Sequence, residues 1–559
     1  MSQLEDRKNS TPSLGGIKTR TTPDAVSISP SLTEKQVPGP VKENAEYPTG
    51  LKLGLILTSV LMCTFLAQLD RLIIVTAIPR ISDHFHSVND IGWYGSSYLL
   101  LQCSSQLLYG KMYTFFSVKW TFLTALFLFE LGSAVCGSAP SSIAFIIGRA
   151  IAGLGAAGIQ SGTIVAIVHS VPLHKRSTYQ GLFGAIFGVT SVVGPLLGGA
   201  LTTKATWRWC FYINLPLGGL AAVAVYLLLK VADQESAKLP LKQKLAQLDL
   251  LGTMAIVPGM VCLVIALQWG GSTYAWRSAR IIVLLVLAGL LFVGFILVQT
   301  FLPKTATIPP RIVKQRSIIS GSFSTICNGA HLMIFAYYLP VWFQGIQGAS
   351  AIESGIRFLP TMLSMVVGSV SSGILIRRVG YYTPFLIVGV CFMAIGSGLL
   401  YTLQVDSSSP KWIGYQIIYG LGGGLGIQAP NLAAQTTLPK QDVPMGISLL
   451  LFCQLLGGAI FVPVGQNVLS NQLVHRLSSI QGINPETILD TGATALTDLS
   501  ESIKPIVKAA YNDSLRQVYL IGVILACVSI LGAASLEWRS MKKDAQQKGK
   551  TTNSVEKSP

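Results

Sequence analysis

Two side chains of opposite charge stand deep inside apolar runs of this chain, and they have more chemistry to offer than any other residues in it. Asp70 lies ten residues before the end of the run 52–80, about 15 Å at 1.5 Å per residue, and Arg149 lies about eight residues, roughly 12 Å, into the run 142–168. If those two ends face the same side, the depths match. An ionised group mid-membrane costs about 3 kcal/mol on insertion scales, so it is retained only with a partner or a wet cavity. A carboxylate beside a fixed guanidinium can be switched by a proton, which suits a proton carrier. A static ion pair that merely orients two helices would look the same. Glu130, in the run 120–138, sits at similar depth and reads either as a second titrating position or as a structural hydrogen-bonding group. Arg71 points about 100° away from Asp70 on a helix, to snorkel or to pair elsewhere.

Enzyme chemistry is absent from the pattern. An intramembrane enzyme would need clustered His, Cys or Asp ligands or a Ser/His pair, whereas His84, His86, His169, His174, His331 and His475 are scattered. The nine cysteines stand singly in apolar segments and read as small buried hydrophobes. No P-loop is present, so no nucleotide is expected, and without paired Cys or His spacings neither a metal nor another cofactor is expected. The formal charge of +17 is spread thinly over loops and tails without a basic helix or stacking platform, which argues against a nucleic-acid partner.

The elements that must hold Asp70 and Arg149 follow from composition. Half of the 559 residues are apolar and 12% are charged, against roughly 25% in an ordinary globular chain. Apolar runs of membrane-spanning length cover about 52–80, 92–110, 120–138, 142–168, 179–201, 209–230, 250–269, 280–301, 318–343, 355–376, 383–403, 412–435, 445–467 and 517–536. An all-α, polytopic protein of 14 transmembrane helices is expected, and an even number puts both termini on one side. With those termini cytosolic, the six short inner loops and their flanking helix ends hold 15 Lys and Arg and the outer ones 7, the bias the positive-inside rule requires.

Repetition organises the helices further. Gly153-Leu-Gly-Ala-Ala-Gly-Ile-Gln160 recurs as Gly420-Leu-Gly-Gly-Gly-Leu-Gly-Ile-Gln428, and Gly110-Lys111 with Lys119 is matched more loosely by Gly373 to Gly380, both at an offset near 265 residues. Two six-helix halves around an inserted pair, 6+2+6, mark a secondary transporter. On this reading the chain divides into a disordered cytosolic tail (1–50), a first half (51–232), the inserted pair with its preceding loop (233–302), a second half (303–536) and a cytosolic tail (537–559). The second half carries a long outer loop, 468–516, whose amphipathic stretch Ala493 to Ala510 is expected to be helical.

Over about residues 60 to 540 the chain resembles the fourteen-spanner drug:proton antiporters of the major facilitator superfamily, in their fungal branch of toxin and secondary-metabolite efflux pumps. Leu69-Asp70-Arg71 with Ala77-Ile-Pro79-Arg80-Ile81, Gly92-Trp-Tyr-Gly-Ser-Ser-Tyr98, Gly148-Arg149, and Trp207 through Asn214 to Gly219 carry the resemblance. It implies the major facilitator fold, proton coupling through Asp70 and Arg149 with Glu130 as a possible second site, and an antiporter motif at Gly194, Pro195, Gly198 and Gly199. Gly110, Lys111 and Lys119 match the inner-loop motif, but Thr114 and Ser117 stand where an acidic residue and a further Gly are usual. The two lysines are then expected to engage headgroup phosphates or helix C-termini.

Polar and aromatic helical stripes, Tyr94, Tyr98, Gln102 and Gln106 in the second run and Asn328, His331 and Tyr338 in the ninth, are candidate substrate contacts. Such a lining suits an amphipathic, largely uncharged organic molecule. The resulting expectation is proton-coupled efflux of a hydrophobic small molecule by a plasma-membrane monomer, with uptake of a siderophore, amino acid or similar solute, and a vacuolar location, as the alternatives. The sequon at Asn512 is expected to stay unglycosylated because it lies too close to the bilayer.

Overall fold

The structure is a computed structural model, and it describes residues 48–87, 90–229, 239–271, 273–303, 305–478 and 503–542. Expectations for 1–47, for 479–502 within the long outer loop, including residues 493–502 of the amphipathic stretch, and for 543–559 lie outside the described residues. The rest is all-α. Fourteen long helices are present among the described residues: α1 (Gly50–Phe85), α2 (Ile91–Phe115), α3 (Val118–Ser138), α4 (Ser142–Ser170), α5 (Leu173–Lys204), α6 (Asn214–Leu228), α7 (Leu250–Trp269), α8 (Ala279–Phe301), α9 (Arg316–Gly345), α10 (Leu359–Val379), α11 (Thr383–Tyr401), α12 (Ser409–Gly426), α13 (Val443–Leu477) and α14 (Lys504–Ser535). Twelve membrane-crossing segments are long and apolar enough to span a bilayer. The two other helices are α2, diluted by Ser97, Gln102, Ser104, Ser105 and Gln106, and the glycine-rich α12.

Several helices outrun their hydrophobic windows. The α1 helix continues to Phe85, and α14 begins at Lys504 instead of 517, because a hydropathy window registers only the apolar part of a helix whose end projects beyond the membrane. The window 412–435 is divided between α12 and a nine-residue helix, Ala429–Thr437, which starts with Pro430 in its first turn. Proline lacks the N–H that a continuous helix would need there, and five glycines precede the break. Leucines, valines and isoleucines of α8, among them Val283, Leu290, Val293 and Ile296, are exposed over half or more of their surface, which requires a lipid rather than an aqueous surround.

The repeat is visible as repeated packing. Gly153 leaves no room for a side chain against the Tyr98 backbone of α2, and Gly420 none against Thr361 and Ser364 of α10. Gly155 abuts Phe129 of α3 in the same way that Gly422 abuts Met393 of α11. Gln160 accepts a hydrogen bond from Gln102 of α2, and Gln428 donates to the Ser369 carbonyl and Ser372 hydroxyl of α10. Small residues let these helix pairs approach backbone to backbone.

The first and last six helices meet along two seams. At one, the Ser369 hydroxyl donates to the Gly181 carbonyl at 3.0 Å, and Gly184 and Gly188 of α5 lie against Ser369 and Val366 of α10. At the other, Gly110 packs on Ser448, and the Ser161 and Ser448 hydroxyls are 3.1 Å apart. Residues of α7 and α8 cover this second seam, with Ile256, Met260 and Phe295 packing among Cys103 and Leu107 of α2 and Leu449 and Phe452 of α13. These contacts cluster toward the end of the bundle where α4 finishes, α5 starts and α10 finishes. Farther along α5, Gly194 and Gly198 lie against α1, and Gly199 faces open space.

Candidate functional site

Five helices of the first half converge on Asp70, which has no exposed surface. Its Oδ2 accepts from Arg149 Nη1 of α4 at 2.5 Å, and its Oδ1 accepts from Asn214 Nδ2, at the start of α6, at 3.2 Å. The Asn214 amide also donates to the Ser133 hydroxyl of α3 at 3.1 Å. Arg149 in turn donates from Nε to the Tyr94 carbonyl of α2 at 3.0 Å and lies over the Tyr98 ring, 4.4 Å from its centre. Tyr98 is held by its own hydroxyl, which donates to the Ala67 carbonyl of α1 at 2.9 Å. The guanidinium therefore keeps a carbonyl and an aromatic face whatever happens to the carboxylate.

Depth counting had placed Asp70 and Arg149 together, and they do meet. Asn214 and Ser133 were not expected, although Asn214 was legible as one amide in the apolar stretch that follows Trp207. Glu130 lies one turn from Ser133 on α3, within electrostatic reach of Asp70. Both of its carboxyl oxygens are buried without a hydrogen-bond partner, and they occupy the space a side chain at Gly218 of α6 would take. It is thus an unspent acid beside the pair.

Two of the glycines expected to form an antiporter motif pack on α1. Gly194 faces Leu72 and Gly198 faces Ile73 and Thr76, so α5, which runs through Pro195 without interruption, lies directly against the helix that carries Asp70. The inner-loop lysines differ from expectation. Lys111 is buried and donates to the Thr305 carbonyl, in the loop after α8, at 3.1 Å, and the Lys119 ammonium sits 4.4 Å above the Tyr226 ring. Carbonyl and aromatic partners thus stand where phosphates and helix C-termini were anticipated, because chain far away in sequence folds over these positions.

Near Lys111, Asp249 accepts from Gln299, from the Thr307 amide and hydroxyl and from the Gly252 amide at 2.7–2.9 Å. Burial alone would push this carboxyl up, but its hydrogen bonds outweigh that and hold it below the ordinary carboxylate value. Arg311 and Asp442 pair at 2.7 Å close by. None of these four residues apart from Lys111 stood out in the sequence.

Most of the expected substrate contacts are committed elsewhere. The Tyr94 hydroxyl bonds to Ser87 and Ser142, Gln102 to Gln160, Gln106 to Ser161, His331 Nδ1 to the Tyr419 hydroxyl, and Tyr338 to the Val462 carbonyl. With Tyr98, these are packing residues inside each half. Periodicity assigned them to one stripe but not to a cavity. Asn328 lines a small polar cavity shared with Thr325, Asn431 and Gln454. Asn512 is buried within α14, accepting from Trp342 Nε1 and donating to the Leu403 carbonyl, so burial in a helix adds to bilayer proximity in arguing against its glycosylation.

A family model described as Major Facilitator Superfamily matches residues 60–462. An MFS-type transporter of Claviceps purpurea is 50% identical over 530 residues, covering 94% of this chain and 92% of its own. The MFS-type transporter VdtG of Byssochlamys spectabilis is 49% identical over 498 residues, with 89% and 90% covered, and the efflux pump roqT of Penicillium rubens is 48% identical over 482 residues, with 86% and 89% covered. Among solved structures, the human organic anion transporter MFSD10 superposes with a TM-score of 0.55 at 13% identity, covering 86% of this chain and 100% of that one. The proton:xylose symporter XylE superposes with a TM-score of 0.53 at 14% identity, covering 85% and 94%. At those identities the likeness is one of fold.

Proposed function

Since the chain belongs to the Major Facilitator Superfamily and is a multi-pass membrane transporter of small molecules, we propose that it exports a hydrophobic small molecule from the cytosol in exchange for protons. The observation that carries the proton coupling is the fully buried Asp70–Arg149 pair. A proton on Asp70 removes Arg149's counter-ion, while the Tyr94 carbonyl and Tyr98 ring keep the guanidinium in place. The change in charge is then felt by α1, α4 and α6, the helices that the pair and Asn214 tie together. The close approach of Gly194 and Gly198 lets α5 follow α1, which supports a role for the Gly-Pro segment in exchange. Glu130 is a second acceptor within reach.

Efflux rather than uptake is favoured by relatives such as roqT, described as an efflux pump. Cytosolic termini fit the loop charges, and a monomer in the plasma membrane completes this reading. One proton crossing 100 mV supplies about 2.3 kcal/mol and a pH difference of one unit about 1.4 kcal/mol more. The sum, near 3.7 kcal/mol, sustains a gradient of several hundred-fold for a neutral substrate. The test is Asp70→Asn in proteoliposomes: pH-driven accumulation is expected to vanish while substrate counterflow survives. Retained proton-driven accumulation overturns the assignment, and export that persists after a protonophore collapses the gradient overturns antiport as a whole.

A further inference from the structure

Arg71 is the ionised residue that the coupling site leaves over. Asp70 turns into the first half, and Leu72 packs on α5 at Gly194. Arg71, between them, points across to the other half, where its Nη2 lies 3.3 Å from the Met333 sulfur of α9. It is half-buried and has no carboxylate partner among the described residues. Snorkelling does not account for it, since the outer end of the apolar run is nine residues, about 14 Å, away. A guanidinium offers five N–H donors, and a thioether is a weak acceptor for one of them. A permanent cation at this depth is costly unless something anionic or wet answers it.

The opposite wall is polar but uncharged. Met333 rests on Gly458 of α13. One turn toward the inner end, Gln454 of the same helix lines the small cavity together with Asn328 and Asn431, and the Asn431 amide oxygen is buried without a partner. One unspent cation and a thioether that can swing aside thus lie about a helical turn from the amides that line this cavity.

From this juxtaposition we infer that Arg71 is a substrate-recognition residue, and that the transported molecule is an amphipathic organic anion, a carboxylate or acidic phenolate with further hydroxyl or carbonyl groups. The anionic group takes the place of the Met333 sulfur as acceptor on Arg71, where a carboxylate can bond in bidentate fashion. Its polar substituents reach Asn328 and Gln454, and its apolar body fills the space between the halves. This replaces the largely uncharged substrate expected from the sequence, and it rests on the transport reading above.

The test uses the full-length protein in nanodiscs with two fluorescent probes, pyrenebutyrate and its uncharged amide, titrated at neutral pH. The wild type is expected to bind the acid at least about tenfold more tightly than the amide, the factor a charge-assisted hydrogen bond provides. Arg71→Gln is expected to bring that ratio close to one, and Arg71→Lys, which keeps the charge without the fork, to retain part of it. Measurable amide binding by each variant reports that it is folded. A wild type that binds both probes alike or binds neither, or an Arg71→Gln protein that keeps the preference, overturns the proposal. The preference is a binding ratio that needs no gradient, so its failure is separate from a failure of proton-driven transport.

Discussion

The two six-helix halves carry the same scaffold with different contents. Arg149 and Gln416 occupy corresponding places 267 residues apart, and each donates to a backbone carbonyl on the neighbouring helix or its lead-in turn: Tyr94 for the arginine, Arg357 for the glutamine, both at 3.0 Å. Beyond that bond they diverge. Arg149 finds Asp70, while Gln416 accepts from the Thr361 hydroxyl at 2.8 Å. On α9, Phe335 packs on Tyr419, one turn along from Gln416, and stacks on Tyr519, with ring centres 4.8 and 5.3 Å away. His331 bonds to the same Tyr419, so this centre is aromatic with one imidazole, and no carboxylate–guanidinium pair stands there among the described residues. Duplication therefore supplied the geometry twice, and the buried carboxylate–guanidinium pair stands in one copy only among the described residues.

The strongest way to break this contrast is to make the first half resemble the second. Arg149→Gln leaves Asp70 buried without its cation and is expected to lower stability by about 3–5 kcal/mol. Adding Asp70→Asn should recover much of that loss, because the remaining groups are neutral and can hydrogen-bond. Thermal unfolding of the purified single and double variants checks both, and a single variant as stable as the double would contradict the pairing.

Packing should behave alike in the two halves. Gly155→Ala and Gly422→Ala each force a methyl into the backbone of a neighbouring helix, and a penalty of about 1–3 kcal/mol is expected for both. A loss confined to one of them would show that the repeated contacts are not equivalent. Outside the halves, Asp249→Asn weakens the tie between α7 and the Thr307 segment by about 1–2 kcal/mol at neutral pH. A carboxyl held below its ordinary value contributes stability above that value and loses it as pH falls further. The difference between wild type and Asp249→Asn should therefore shrink as pH drops through 3.8 and below.

At the seams the effects are smaller. Ser369→Ala removes a hydroxyl bond between α10 and α5, worth about 0.5–1.5 kcal/mol, and should shift the resting population toward the state open at that end. Rates of thiol labelling at a cysteine introduced into the Gly181 region would register it, and an unchanged rate would argue that the seam is not a gate. The smallest expected effect is none at all: glycosidase treatment should leave the mobility of the wild-type protein unchanged, because Asn512 is enclosed within α14.

Sequence by itself determined the class of molecule, the positions of the helices and the existence of the repeat, since apolar runs and glycine spacing are local properties that the bilayer reads directly. Depth counting was also enough to bring Asp70 to Arg149, because two rigid helices crossing the same slab share one coordinate. The other coordinate, rotation and partner choice, is non-local. Nothing near Asn214 in the chain says that it will reach Asp70, and the stripe of Tyr94, Tyr98, Gln102 and Gln106 does not reveal that α4 and α1 will consume its hydrogen bonds. Helix crossing angles and the contacts between halves decide those questions. That is why Tyr94 is turned inward against Ser142, while Arg71, one residue beyond Asp70, is left facing the other half of the protein.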